Sequence, residues 1–178
     1  MVTAGALVIR PIASPAARPS PFGRPQVSEA AMRTLAAAMD RLLPGAKDAG
    51  AAEYLNFWLK TDPFRPLRGF FDKGASALDE AAGRKGKKLF TELDAKAQDE
   101  IIRMFIDNKA GMRGFRTYTF IESLMEMTME GYLADPKYGG NKDKAGWKFI
   151  GLPDGLRSCW WNPDGVSALL GKRPRFAD

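Results

Sequence analysis

Between residues 28 and 134, apolar side chains recur every three or four positions, in runs that proline and glycine interrupt. This spacing puts the apolar side chains of each run on one face of an α-helix, whereas a half-buried strand needs strict alternation. Alternation of that kind is not sustained in the sequence. The pattern therefore predicts an all-α fold: a compact bundle of about five helices, followed by an irregular C-terminal arm rich in glycine, proline and tryptophan.

The ends of the five helices can be placed from capping and helix-breaking residues. Serine and aspartate suit N-cap positions, because their side-chain oxygens accept hydrogen bonds from the first turn, and proline and glycine mark where a run stops. The predicted helices run from Ser28 to Pro44–Gly45, from Asp48 to Asp62–Pro63, from Leu67 to Gly83, from Asp94 to about Asn108, and from about Met112 to Ala134.

An N-terminal tail precedes the predicted helical domain, which comprises residues 28–134. Residues 1–27 hold five prolines, so we expect them to be extended rather than to form a regular element. The short apolar run Ala4–Ile9 is followed by small residues, as in a secretory signal, but no basic segment and no twin arginine precede it. The tail therefore fits an export-signal remnant and a plain Pro/Ala-rich segment about equally well.

The arm, residues 135–178, has a different character from the helical domain. Glycine and proline recur along it, and it holds three of the four tryptophans, Trp147, Trp160 and Trp161. A loop-rich arm cannot bury such side chains in a core of its own. They must therefore pack against either the helical domain or another protein.

The chain has no histidine and a single cysteine, Cys159. Histidine is the usual general base near neutral pH, the usual zinc ligand and the usual haem ligand. One cysteine cannot form an internal disulfide, a zinc ribbon or a self-contained iron–sulfur site, and we expect Cys159 to be a small buried hydrophobe. The sequence therefore predicts no catalytic, cofactor-binding or metal-binding residue and no enzyme activity of the chain by itself.

Three carboxylates lie on one face of the fifth predicted helix. Glu122, Glu126 and Glu130 are spaced four residues apart, which would suit half of a di-iron site in a helical bundle. Such a site needs Glu-x-x-His motifs, and the chain has no histidine. We therefore interpret the row as an acidic stripe that faces solvent or a partner, and the neighbouring Met125, Met127 and Met129 as core residues.

The segment Gly139-Gly140-Asn141 has the composition of a phosphate-binding loop but not its pattern. It fits neither GxxxxGK[ST] nor GxGxxG, and no strand is predicted before it. Glycine tolerates positive φ, and asparagine can hydrogen-bond nearby backbone. The segment is therefore predicted to reverse the chain after the last helix.

The formal net charge of +6 is concentrated in the two tails. Residues 1–27 contribute +3 and residues 135–178 contribute another +3, so residues 28–134 are neutral. A nucleic-acid-binding domain would gather its cations on one folded face. A free-standing basic helical module for nucleic acid or acidic surfaces is therefore the alternative function rather than the preferred one.

The stretch Glu130–Pro153 resembles the C-terminal signature of the gluconate 2-dehydrogenase subunit 3 family. In that signature a helix ends in glycine and an aromatic residue, and Asp-Pro, Tyr-Gly-Gly-Asn, Gly-Trp-Lys, Ile-Gly and Pro follow. The resemblance extends over about residues 28–155. The matching residues are Gly131, Asp135, Pro136, Tyr138, Gly139, Gly140, Asn141, Gly146, Trp147, Lys148, Ile150, Gly151 and Pro153.

The resemblance implies a non-catalytic small subunit of a periplasmic or membrane-associated sugar dehydrogenase complex. It implies that FAD is bound by a large catalytic subunit of the glucose-methanol-choline type, with a cytochrome c subunit in many such complexes and a haem c or iron–sulfur cluster in partner subunits. The small subunit of this family binds the large one, supports its maturation and in many cases carries the twin-arginine export signal. This sequence departs from the family in lacking a visible twin arginine.

Both lines of reasoning predict that the arm binds the partner. Tyr138 and Trp147 are the first candidates for anchors, and the alternative is that both cover the helices of this chain. The full set of candidate interface residues is Tyr132, Asp135, Pro136, Tyr138, Gly139, Gly140, Asn141, Trp147, Trp160 and Trp161.

Overall fold

A computed structural model describes residues 27–86 and 89–152, and these two ranges contain six α-helices and no β-strand. The prediction of an all-α fold is confirmed. The N-terminal 26 residues and the candidates Cys159, Trp160 and Trp161 lie outside the described residues. The helices are α1 (Glu29–Leu42), α2 (Ala51–Trp58), α3 (Arg68–Gly86), α4 (Ala95–Ile106), α5 (Thr117–Leu133) and α6 (Ala145–Phe149).

Of the three capping residues placed at predicted helix starts, Ser28 and Asp94 are N-caps, whereas Asp48 is not. The Ser28 hydroxyl oxygen accepts a hydrogen bond of 3.1 Å from the backbone N–H of Ala31, and the Asp94 carboxylate accepts one of 2.8 Å from Ala97. These bonds satisfy backbone donors that the first turn of a helix leaves free. The starts of α1 and α4 are therefore fixed by local sequence.

Two helix starts were predicted too early, and glycine conformation explains both. α5 begins at Thr117 rather than at Met112, because Gly111 and Gly114 take positive φ values of 66° and 67° and turn the chain. α2 begins at Ala51 rather than at Asp48, because Gly50 is left-handed with φ 81°. The apolar spacing continues through these turns and does not reveal them.

In two further places the structure has more helix than the sequence predicted. α3 continues to Gly86, three residues beyond its predicted end at Gly83. The short helix α6 lies within the arm, where no helix was predicted, and 3-10 turns at Pro136–Tyr138 and Lys142–Lys144 precede it. The described part of the arm is therefore more regular than its glycine and proline content indicated.

The core lies around α5, which packs against α1, α2, α3, α4 and α6. Its inward residues include Phe120 and Leu124, which are fully buried. The rings of Phe71 and Phe105 meet that of Phe120 edge to face, each with centroids 6.3 Å apart. Gly74 of α3 lies so close to Phe120 that a side chain there would overlap the ring. α5 is therefore the central helix of the domain.

Candidate partner-binding surface

Asn141 closes the turn that leads from α5 to α6. The residue is completely buried and left-handed, with φ 47°. Its side-chain N–H donates to the Ala134 carbonyl (2.9 Å), its side-chain oxygen accepts from the Gly146 N–H (2.8 Å), and its backbone N–H donates to the Gly131 carbonyl (2.8 Å). The predicted role of this asparagine, bonding to nearby backbone, is confirmed.

The glycines of the signature serve two different needs. Gly139 has a φ of 90°, as predicted for a chain reversal. Gly140 and Gly146 are instead required for space, because a side chain at either position would overlap the carbonyl oxygen of Gly131 or of Tyr132, respectively. The signature therefore holds the backbone of the arm directly against the end of α5.

Trp147 packs onto its own helical domain. Its side chain is only 6% exposed, and its ring Nε1–H donates a hydrogen bond of 2.7 Å to the Leu133 carbonyl at the end of α5. This is the intramolecular position that was the alternative for the aromatic residues of the arm. The described structure therefore uses Trp147 to seat α6 on α5.

Tyr138 lies in a second aromatic contact, against α2. Its ring centroid is 5.4 Å from those of both Phe57 and Trp58, and Lys137 Nζ lies 4.8 Å from the ring. Asp135 caps this turn by accepting a hydrogen bond from the Lys137 N–H, and Pro136 begins its 3-10 turn. Tyr138 remains half-buried and Phe57 is exposed, so this cluster keeps an edge toward solvent.

The junction of α5 and α6 leaves apolar side chains in solvent. Tyr132 is half-buried and meets Phe149 edge to face, with centroids 6.2 Å apart. Phe149 is 76% exposed, and Leu133 and Ile150 are exposed as well. The signature therefore builds an apolar patch at this end of the domain.

The outer side of α5 continues this patch, and the sequence interpretation missed it. Met127 is buried as predicted, Met125 is half-buried, and Met129 is 51% exposed, so its prediction as a core residue is wrong. Tyr118 is exposed on the same side of the helix. The signal was present in the sequence, because apolar residues at helical spacing occupy both sides of α5 rather than a single stripe.

The carboxylate row lies beside these apolar residues. Glu122, Glu126 and Glu130 are all exposed, and within residues 27–86 and 89–152 neither Glu122 nor Glu126 has a hydrogen bond or ion pair. Glu130 accepts a hydrogen bond of 3.2 Å from the Tyr54 hydroxyl. Burial of the Tyr54 phenol, together with the Glu130 charge, raises the pKa of Tyr54 to about 12.

The described part of the chain has neither a grouped set of metal-ligating side chains nor a membrane-spanning helix. No three of its aspartate, glutamate or cysteine side chains are grouped so as to hold a metal ion. None of its helices combines the length and the apolar character needed to cross a bilayer. What the surface presents is a set of apolar side chains next to unpaired carboxylates.

Comparison with known protein families gives a match over most of the chain. A family model described as gluconate 2-dehydrogenase subunit 3 matches residues 29–155. This range includes all six described helices, so the match rests on the helical domain as well as on the turn that Asn141 closes. No curated protein and no solved structure gives a significant match to the chain.

Proposed function

Because the chain belongs to the gluconate 2-dehydrogenase subunit 3 family, whose members are subunits of a multi-subunit dehydrogenase, we propose that it is the non-catalytic small subunit of an FAD-dependent sugar dehydrogenase. Its partner is a catalytic flavoprotein of the glucose-methanol-choline type, which carries the FAD and oxidises the sugar. A cytochrome c subunit receives the electrons where one is present. The complex works in the periplasm or at the membrane, and this subunit supports maturation and export of the flavoprotein.

The composition supports placing the reaction in another subunit. The chain has no histidine, its one cysteine has no second cysteine to pair with, and its exposed carboxylates lack the histidines of a di-iron site. An oxidation of an alcohol needs a base to take the hydroxyl proton and an acceptor for the electrons. The flavoprotein subunit supplies both in the proposed complex.

The observation that carries the proposal is the apolar patch at the junction of α5 and α6. Phe149 and Ile150, which lie within the matched range, project apolar surface into water. Burial of apolar surface contributes about 25 cal/mol per Å². A stable protein interface buries about 1,200–2,000 Å² and depends on a few well-packed anchors, mainly aromatic residues and arginine. An exposed patch of this kind is typical of a subunit that has a partner.

The two first anchor candidates, Tyr138 and Trp147, have different roles in the proposed interface. The partly exposed ring of Tyr138 can contact a partner without moving, together with Phe57. Trp147 could contact a partner only by breaking its hydrogen bond to the Leu133 carbonyl. Trp147 therefore supports the interface by positioning Phe149 and Ile150, while Tyr138 contacts the partner directly.

The test is co-expression of the tagged chain with a flavoprotein of the glucose-methanol-choline type from the same genome. We expect the flavoprotein to be recovered with the tagged chain, with bound FAD visible by its absorbance and with sugar oxidation measured against an artificial electron acceptor. The purified chain alone should give no turnover. Omission of the chain should lower the yield of FAD-loaded, exported flavoprotein. A flavoprotein that matures fully and elutes separately from the tagged chain would contradict the proposal.

A further inference from the structure

We infer that the outer face of α5, continued by the end of α6, is the surface that binds the catalytic subunit, and that the catalytic subunit meets it with an apolar strip flanked by lysine or arginine. This inference rests on the proposed function and specifies where its central contact lies. The surface, called here the α5 outer face, is defined by Tyr118, Glu122, Met125, Glu126, Met129, Leu133, Phe149 and Ile150.

The apolar part of the α5 outer face forms a line along the helix. Tyr118, Met125, Met129 and Leu133 are separated by seven, four and four residues, which places them on one side of an α-helix. With a rise of 1.5 Å per residue the line is about 22 Å long. The core-facing residues of α5, such as Phe120, lie on the other side. A helix that is apolar on both sides is usually covered by protein on both sides.

Two exposed carboxylates border the apolar line of the α5 outer face. Glu122 and Glu126 follow the apolar line and have no cation beside them among the described residues. Seven carboxylates elsewhere in the described ranges are paired with lysine or arginine, as in Glu53–Lys142 and Asp99–Arg41, whereas exposed Glu29 and Asp48 are unpaired there but border no comparable apolar line. Unpaired carboxylates that border an apolar strip are complementary to a strip bordered by lysine or arginine.

The same charges argue against other occupants. In a symmetric contact between two copies of this chain, both copies present the same carboxylates, Glu122 and Glu126, and the residues that define the surface include no lysine or arginine to pair with them. Like charges facing each other across an interface are unfavourable. An anionic lipid surface would be repelled for the same reason. A different protein with lysine or arginine at the matching positions satisfies both the apolar and the acidic parts of the surface.

The variants that test the inference are matched by exposure and by charge. Met129→Glu puts a charge in the apolar line, and Leu89→Glu is its control, because the two side chains are 51% and 53% exposed and Leu89 lies in a turn far along the chain from α5. Glu126→Lys reverses a charge in the carboxylate row. Asp48→Lys makes the same charge change at an exposed position between α1 and α2.

The measurement is the Kd between the full chain and the separately purified FAD-containing catalytic subunit. We expect M129E and E126K each to raise the Kd about tenfold or more, while L89E and D48K leave it unchanged. All four changes are at exposed positions, so the helical circular dichroism should stay that of the original chain. Failure of the original chain to bind would contradict the proposed function. Binding by the original chain that M129E and E126K leave intact would refute only the inferred surface.

Peroxide oxidation of methionine identifies what covers the surface. Met129 should be oxidised rapidly in the free chain and slowly in the complex, with the fully buried Met39 as the internal reference. Protection of Met129 in the dilute free chain would mean that another segment of this chain covers it. Protection that grows with the concentration of the free chain would mean that a second copy does. Either result would overturn the inference.

Discussion

At residue 146, the backbone of α6 lies directly against the carbonyl oxygen of Tyr132. A methyl group on Gly146 would overlap that oxygen, so α6 would have to move away from α5. Gly83 provides a matched comparison, because a methyl group there meets no atom within 4 Å. Replacing each glycine by alanine therefore separates the steric clash at position 146 from the general effect of replacing a glycine in a helix.

We expect Gly146→Ala to lower the free energy of unfolding by about 1–3 kcal/mol, the usual cost of overpacking. Gly83→Ala should instead raise it by about 0.5–1 kcal/mol, because alanine favours the helix over glycine. Urea unfolding followed by circular dichroism at 222 nm gives both values. Equal stability of G146A and the original chain would show that α6 is not held against α5.

At the scale of elements, Tyr54 joins α2 to α5 through its hydroxyl and Glu130. Its pKa is raised to about 12, mainly by burial and then by the Glu130 charge. The phenol of the unfolded chain titrates near pH 10. Below that pH the contribution of Tyr54 is complete. Between about pH 10 and pH 12 the unfolded chain loses the proton while the folded chain keeps it, so the free energy of unfolding falls as pH rises.

We expect Tyr54→Phe to make this fall shallower, because phenylalanine has no proton to lose. Denaturant unfolding of Y54F and of the original chain at about pH 9 and about pH 11 measures the difference. Tyr118→Phe is the control, since it removes a phenol from an exposed position of α5. Identical pH dependence of Y54F and Y118F would contradict a role for the buried hydroxyl.

The sequence predicted the helices better than it predicted their ends. The caps at Ser28 and Asp94 were identified because capping depends on nearby side chains. The start of α5 was misplaced because the positive φ values of Gly111 and Gly114 do not interrupt the apolar spacing. α6 was missed because it has only five residues and is held by Asn141 and by contacts with α5 rather than by local preference.

The candidate surface was predictable only in part, for a related reason. The signature residues could be identified by their order, and Asn141 acts on the backbone as predicted. Which of these residues are exposed to solvent depends on how α6 packs against α5. Trp147 is enclosed by that packing, whereas Phe149, two residues later, is left exposed. Met129 was assigned to the core because methionine is typical of core positions, although its spacing from Phe120 places it on the opposite side of α5.

At the scale of the whole molecule, the distribution of charge separates a subunit from a free-standing basic module. Residues 28–134 are neutral, and the excess of +6 lies in the segments on either side. Within this neutral body, the α5 outer face carries unpaired carboxylates rather than a cluster of cations. DNA binding without sequence preference depends on how many phosphates a protein neutralises at once, which requires cations gathered on one face.

We therefore expect the full chain to bind random-sequence duplex DNA no more tightly than about 10⁻⁶ M at physiological salt, the tight end of ordinary nonspecific affinity. Fluorescence polarisation of a labelled duplex, titrated with the chain at several salt concentrations, gives both the Kd and its salt slope. A submicromolar Kd with a slope that corresponds to six or more phosphate contacts would favour the free-standing module. A subunit with a neutral helical body should instead give weak DNA binding with a shallow salt slope, because its cations are dispersed among carboxylates that neutralise them. The same preparation should bind the flavoprotein.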